Sequence, residues 1–248
     1  MPLVSIITTV YNCENYIKFS LDSILKQTFQ DYEIIIVNDG SADSTWDVVK
    51  RHPLSLLGKT ILVDNKENKR IPTRRNEAIS LSNGKYIAIH DGDDMSLPHR
   101  LQKEVDYLEN NPGVFCCGSR AIKIDRNGNV GGTLMHPPPD HQGIVDFLLT
   151  QKLNPIIDPS TLFRKQDFMD LGQYSLDKSI YTVPDMDLWC RAIISGRKLF
   201  NLRDLLIKYR INPKGMTMAH RPEMKEAHFK VLKKFVEDYN NVKKDIAR

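Results

Sequence analysis

The sequence predicts an α/β fold, with a mostly parallel central sheet covered by helices on both faces. Three observations predict it. β-Branched apolar runs, as in Val4–Val10 and Glu33–Val37, read as strands buried on both sides. Helical-period segments separate these runs one by one. The connections carry Gly, Asn, Asp and Ser at the expected breaks.

Val4–Val10 is the first strand, and Ile17, Leu21, Ile24 and Leu25 recur at helical spacing behind it. Glu33–Val37 is the second strand. Ser41 or Asp43 caps a helix running to about Arg51, since its oxygen accepts otherwise unpaired N–H groups. Thr60–Val63 is the third strand. A helix through Ala78, Ile79 and Leu81 closes near Asn83-Gly84. Tyr86–His90 is the fourth strand. Leu97, Leu101, Val105 and Leu108 form a helical stripe that Asn111-Pro112-Gly113 stops.

The second half is less regular. Arg126–Asp140, with Pro137-Pro138-Pro139, reads as a mobile connection that passes over the site. A strand near Ser160–Arg164, a helix from about Asp185 to Ser195 and a strand over Leu205–Ile211 follow. From Pro222 an amphipathic helix carries Ala227, Val231, Leu232, Phe235, Val236 and Tyr239 on one face. Packing on the domain is the expected use of that face, with a membrane surface or a partner as the alternative.

Composition narrows the class. The 248 residues are 41% hydrophobic and 27% charged, ordinary for a globular chain. No apolar run approaches the ~18 residues of a membrane span, and the start lacks the pattern of a signal peptide. Cysteines 13, 116, 117 and 190 fit neither a zinc site nor a disulfide framework. They read as reduced thiols of a cytoplasmic protein. A net charge of +4 without a basic, aromatic-interleaved stripe argues against nucleic acid.

Parallel sheets bind ligands beyond the carboxyl ends of their strands. Those ends carry Tyr11-Asn12, Asn38-Asp39-Gly40 and Asp91-Gly92-Asp93-Asp94. Three carboxylates within four positions repel one another, and a hard divalent cation such as Mg²⁺ or Mn²⁺ relieves this. Gly92 is expected to permit an unusual backbone and close approach by a ligand. The alternative is a solvated turn capping the next helix. Neither Gly-x-Gly-x-x-Gly nor a P-loop is present, and Met95 stands where an EF-hand needs an oxygen ligand. His90 precedes the acidic turn, and strand alternation points it away from Asp91.

Five pieces in order resemble the family 2 glycosyltransferases. They are Val4 to Asn12, Ile36 to Ser41 with Asp43 and Ser44, Arg75-Asn76, Gly84 to Ile87, and Asp91 to Asp94. The resemblance covers about the first 110 residues and reaches Asp185–Arg191. It implies the GT-A fold, a Rossmann-like sheet with an acceptor-side second half. It further implies a bacterial-type, inverting and non-processive enzyme, since neither a Gln-x-x-Arg-Trp motif nor membrane helices appear. By this likeness Thr9 and Tyr11 line the nucleobase pocket, Asn12 is a further substrate-binding residue, and Asp39 accepts from the base. Arg75 sits near the base or the diphosphate. Asp91 binds the ribose and shares the metal, Asp93 is the principal metal ligand, and Asp94 supports them.

In the second half, Pro184-Asp185-Met186-Asp187-Leu188-Trp189-Cys190-Arg191 resembles the family's Glu-Asp segment with Leu-Trp-x-Arg, Pro184 replacing the Glu. The match makes Asp185 the catalytic base, with Asp187 as substrate-binding residue and alternative base. Capping of a helix is the plainer reading of both. Tyr209 to Pro213 resembles a family tail in which histidine often replaces Asn212. His220 is then a candidate donor to metal or diphosphate, against a satisfied or exposed histidine.

The expected function is transfer of a single sugar from a nucleoside-diphosphate sugar, UDP by family default, to a glycan, lipid-linked or protein acceptor, with Mn²⁺ or Mg²⁺. Residues 1–112 form the nucleotide-sugar half, 113–220 the acceptor and catalytic half, and 221–248 the terminal helix. Without a transmembrane segment, peripheral membrane association stays open. A nucleotidyl- or phosphate-transferring α/β enzyme and a degenerate nucleotide-sugar-binding module are the competing readings.

Overall fold

The computed structural model describes residues 1–133, 138–212, 215 and 220–246. Four strands alternate with helices as expected: β1 (Val4–Val10), α1 (Ile17–Leu25), β2 (Tyr32–Asp39), α2 (Thr45–Arg51), β3 (Thr60–Asn65), α3 (Arg70–Ser80) and β4 (Tyr86–Ile89). A short β5 (Met95–Ser96) comes before α4 (Arg100–Asn110), so Leu97 lies ahead of that helix. The chain continues through β6 (Val114–Ile124), β7 (Val130–Thr133), α5 (His141–Gln151), β8 (Leu162–Arg164), α6 (Lys165–Asp170), α7 (Pro184–Ile194) and β9 (Lys198–Arg210). A C-terminal helix, Arg221–Ile246, ends the described chain.

One sheet runs β3-β2-β1-β4-β8-β6-β9-β5, with β7 paired to β6. β1 lies parallel to both β2 and β4, and β2 parallel to β3. β8 runs antiparallel to its neighbours β4 and β6, and β6 is parallel to β9. Consecutive strand residues face opposite sides, so the sheet divides two cores. Ile7, Ile35 and Val37 meet α3, α5, α7 and the C-terminal helix. Ile6, Ile34 and Ile36 meet α1, α2 and α4.

Two expectations change and one holds. Arg126–Asp140 is not wholly a mobile connection, because Val130–Thr133 pairs with β6. Leu134 to Pro137 lie outside the described residues, as does Pro213 of the family-like tail. β9 begins seven residues before Leu205, since Lys198 already pairs with Val114. The C-terminal helix uses its apolar face internally: Ala227, Val231, Leu232 and Phe235 are buried in the core beside α7. Among the described residues no helix is long and apolar enough to cross a membrane.

Candidate active site

The parallel register brings the ends of β1, β2 and β4 to one edge, and β9 returns beside them. A cavity of about 460 Å³ opens there, lined by Thr9, Tyr11, Asp39, Arg74, the acidic turn from Asp91 to Asp94, and Tyr209 to Asn212, among others. His220 lies on its wall.

Loop latches shape the nucleotide-facing end. Asn12 has φ +47°, a left-handed value that asparagine tolerates. Its Oδ1 accepts from Ala42 N–H at 2.8 Å, and its own N–H donates to Ser41 Oγ at 3.1 Å. Asn12 therefore ties the β1 and β2 loops together while also lining the cavity. Asp43, one residue ahead of the N-cap Ser44, accepts from Thr45 N–H at 2.9 Å at the entry to α2. Ser41 instead bonds Asn38 Oδ1 at 2.7 Å. Tyr11 is no core residue; half of its surface is exposed, and its ring lines the cavity.

Asp39 is buried, and three donors converge on it. Lys69 N–H and Arg70 N–H reach it at 2.7 and 3.0 Å, and Arg74 Nε at 2.7 Å. Its carboxylate thus organises the entry to α3 and holds Arg74 on the cavity wall. The sequence pattern pointed to Arg75, but Arg75 is not a lining residue. The two are adjacent on a helix and so diverge by about 100°. The spacing of Arg70 and Arg74, one turn apart, was the signal for the cavity-facing pair.

Arg75 is almost fully buried and serves a different purpose. One guanidinium nitrogen donates to Asp91 Oδ1 at 2.8 Å, and another pairs with Asp158. The Tyr174 ring lies beside it, with 5.6 Å between guanidinium carbon and ring centre. Asn76 holds the Tyr174 backbone through both its amide groups. Asp158 Oδ1 and Tyr174 Oη are buried without a hydrogen-bond partner among the described residues. Burial pushes the Asp158 carboxyl up to about 7, against the pull of Arg75.

The acidic turn is held from below. Asp94 N–H donates to the Asp91 carbonyl at 3.2 Å. Asp94 is buried, and its Oδ1 accepts from Arg210 N–H at 2.7 Å. Arg210 Nε donates to the Asp93 carbonyl at 2.8 Å, and its guanidinium covers the Tyr16 ring. Burial and then the Asp91 charge push the Asp93 carboxyl up to about 6, while a hydrogen bond from Asn212 lowers it. Gly92 lacks a left-handed φ. Its missing Cβ instead makes room for Cys13 Sγ and Val10 Cγ1, each 3.1 Å from where a Cβ would stand. The glycine eases packing below the turn, where a Cβ would press those side chains back by a few tenths of an ångström.

Among the described residues no group of three His, Cys, Asp or Glu can hold a metal by itself. Asp91 and Asp93 suit a cation that brings phosphate ligands of its own, because Mg²⁺ sites typically use one or two carboxylates plus phosphate oxygens. Mutual repulsion between these carboxylates is what such a cation would relieve. His90 stays out of this chemistry, as strand alternation required. Its ring lies between Ser20 Oγ (2.8 Å) and Ser96 Oγ (3.0 Å), and burial, then Arg100, push its imidazole down to about 3.

Asp185 stands in the first turn of α7, where Pro184 occupies the helix entry, a position proline favours. Its Oδ2 accepts from Asn154 Nδ2 at 2.6 Å. Burial raises its proton affinity, and the Arg75 charge opposes this. Asp185 does not line the main cavity, but the series Asp91, Arg75, Asp158 and Asp185 connects it electrostatically to the acidic turn. Asp187 does not line the main cavity. It accepts from Arg191 Nε at 2.8 Å, and Arg191 binds the Leu171 and Gln173 carbonyls. Asp158 and Asn154 were not flagged by the sequence, as they sit in a loop without periodicity.

Known proteins resemble this chain in sequence and in fold. The family described as Glycosyl transferase family 2 matches residues 5–172. EpsE of Bacillus subtilis (strain 168), which carries a glycosyltransferase name, is 32% identical over 84% of this chain and 73% of its own. The UDP-Glc:alpha-D-GlcNAc-diphosphoundecaprenol beta-1,3-glucosyltransferase WfaP of Escherichia coli is 27% identical over 86% of this chain and 78% of its own. The mannosyltransferase PcManGT from Pyrobaculum calidifontis, solved with GDP-Man and Mn²⁺, superposes with a TM-score of 0.68 at 19% identity. That match covers 90% of this chain and 60% of the other, and supports the GT-A fold.

Proposed function

The chain belongs to glycosyl transferase family 2 and is a glycosyltransferase, and from that premise we propose an inverting, metal-assisted transfer of one sugar. The donor is a nucleoside-diphosphate sugar, with UDP the first candidate, and the acceptor is a hydroxyl of a glycan or lipid-linked glycan. One observation carries the proposal: Asp91, on the wall of the cavity of about 460 Å³, pairs with Arg75, Arg75 also pairs with Asp158, and the Arg75 charge acts on Asp185.

In this reading residues 1–112 bind the donor, residues 113–220 the acceptor, and the terminal helix supports α7. Tyr11 and Thr9 face the base, while Asp39 presents Arg74 to the donor. Asp91 and Asp93 would hold Mn²⁺ or Mg²⁺, which would supply charge neutralisation to the departing diphosphate. Asp185 takes the proton of the acceptor hydroxyl. The freed oxygen attacks the anomeric carbon from the face opposite the diphosphate. The carbon–oxygen bond to phosphate breaks, nucleoside diphosphate leaves, and the configuration inverts. Reduced, buried cysteines suit work in the cytoplasm.

A panel of UDP- and GDP-sugars with Mn²⁺, scored for nucleotide release, tests the proposal. Nucleoside diphosphate is the expected product, and chelation of the metal should abolish it. Release of pyrophosphate or inorganic phosphate would sink glycosyl transfer and favour a nucleotidyl- or phosphate-transferring enzyme. Donor binding without turnover on any acceptor would indicate a binding module. Metal-independent UDP binding that survives Asp93→Ala would remove the metal from the scheme.

A further inference from the structure

A second groove, about 580 Å³, lies between α5 and the strands β6 and β9. It is lined by Arg120, Arg203, Phe147, Leu202 and the Pro138-Pro139 pair, with Ser119 and Asn201 below. Both arginines are exposed. Neither guanidinium has an ion pair or hydrogen bond among the described residues, while the nearby Asp204 is paired to Lys103. Two uncompensated forks of donors beside proline, phenylalanine and leucine walls suit an amphiphile with a phosphate head.

A hydrogen-bonded segment links the groove to the proposed base. Asn201 Nδ2 donates to the Pro155 carbonyl at 3.1 Å, and Ser119 N–H to Ser160 Oγ at 3.0 Å. Asn154, next to Pro155, donates to Asp185. A single segment, residues 154–160, therefore has the groove on one side and Asp185 with Asp158 on the other.

We propose that this groove is the acceptor's anchoring site, in which Arg120 and Arg203 bind the phosphates of a lipid-linked sugar and Phe147 and Leu202 contact the start of its lipid. The proposal rests on the glycosyl-transfer reading for the word acceptor, but the groove's ligand chemistry stands on its own residues. Arg120 and Arg203 are anchoring residues, not catalytic ones.

Titration calorimetry with farnesyl diphosphate and with inorganic pyrophosphate tests it, each run with and without saturating UDP. Farnesyl diphosphate should bind in the presence of UDP, and more tightly than pyrophosphate. The variant R120A/R203A should weaken it by about tenfold or more, the scale of losing charged hydrogen bonds. R120K/R203K should restore part of the affinity, and F147A should weaken farnesyl diphosphate but not pyrophosphate. Circular dichroism excludes unfolding of each variant. Unchanged affinity in R120A/R203A overturns the site, and equal affinity for the two ligands overturns the lipid assignment. Failure of the glycosyl-transfer reading appears separately, as absence of nucleoside diphosphate release by the unmodified chain from every donor of the UDP- and GDP-sugar panel.

Discussion

Arg75 carries its charge inside the protein with only 2% of its surface exposed, and two carboxylates from distant loops neutralise it. Buried ion pairs of this kind gain little over apolar packing, but breaking one leaves charges stranded. Arg75→Ala is therefore expected to destabilise the fold by about 3–5 kcal/mol, measured by urea denaturation. Arg75→Lys should recover only part of this, since one ammonium cannot reproduce the divergent donors to Asp91 and Asp158. Asp185 differs, because the side chain that bonds its carboxylate is the neutral amide of Asn154, backbone N–H groups add to it, and no cation pairs with it among the described residues. Asp185→Asn should keep donor binding, read by UDP titration. It should lower nucleotide release by about 10²–10⁴-fold, the usual contribution of a general base. Asp187, locked to Arg191, should give a stability defect with far smaller loss of turnover when changed to Asn.

At the level of elements, the joint between α3 and β4 shows how local chemistry fixes the sheet. Glu33 of β2 accepts from Ser5 of β1 at 2.6 Å and from the backbone and side chain of Asn83. Ser5 Oγ in turn accepts from Gly84 N–H at 2.8 Å. A Cβ on Gly84 would stand 2.6 Å from Ser5 N, so only glycine allows this approach. Burial pushes the Glu33 carboxyl up, but these hydrogen bonds outweigh it and hold it below its usual 4.5. A lowered folded value means stability that is complete above 4.5 and lost as pH falls through the folded value. The stability gap between the unmodified chain and Glu33→Gln should therefore be largest at neutral pH. It should narrow as pH drops below about 4.5, read from denaturation midpoints. The Asn83-Gly84 break was visible in the sequence, whereas its bond to Glu33, fifty residues away, was not.

Across the whole molecule, the C-terminal helix secures the half of the protein that carries Asp185. Phe235 is buried in the core shared with α7 and lies 5.6 Å from Tyr239, ring centre to ring centre. Phe235→Ala should cost about 3–5 kcal/mol and lower the melting temperature, with nucleotide release falling only where the helix has melted. The continuous sheet from β3 to β9 makes the two halves of the chain one packed body. The sequence by itself determined the β-α order of the first half, the acidic turn and the strand ends that form the cavity, because hydrophobic period and turn residues are local properties. It also carried the family likeness, through motifs short enough to read along the chain. β6 escaped notice because Cys116, Cys117, Gly118 and Ser119 lack the β-branched signature, and burial on both faces hides alternation. Only the tertiary structure decided that Arg74 faces the cavity while Arg75 binds Asp158, that Asp187 is spent on Arg191, and that Gly92 serves packing. Each of those outcomes depends on partners that meet through space, and side-chain direction and charge pairing are set by the closed fold.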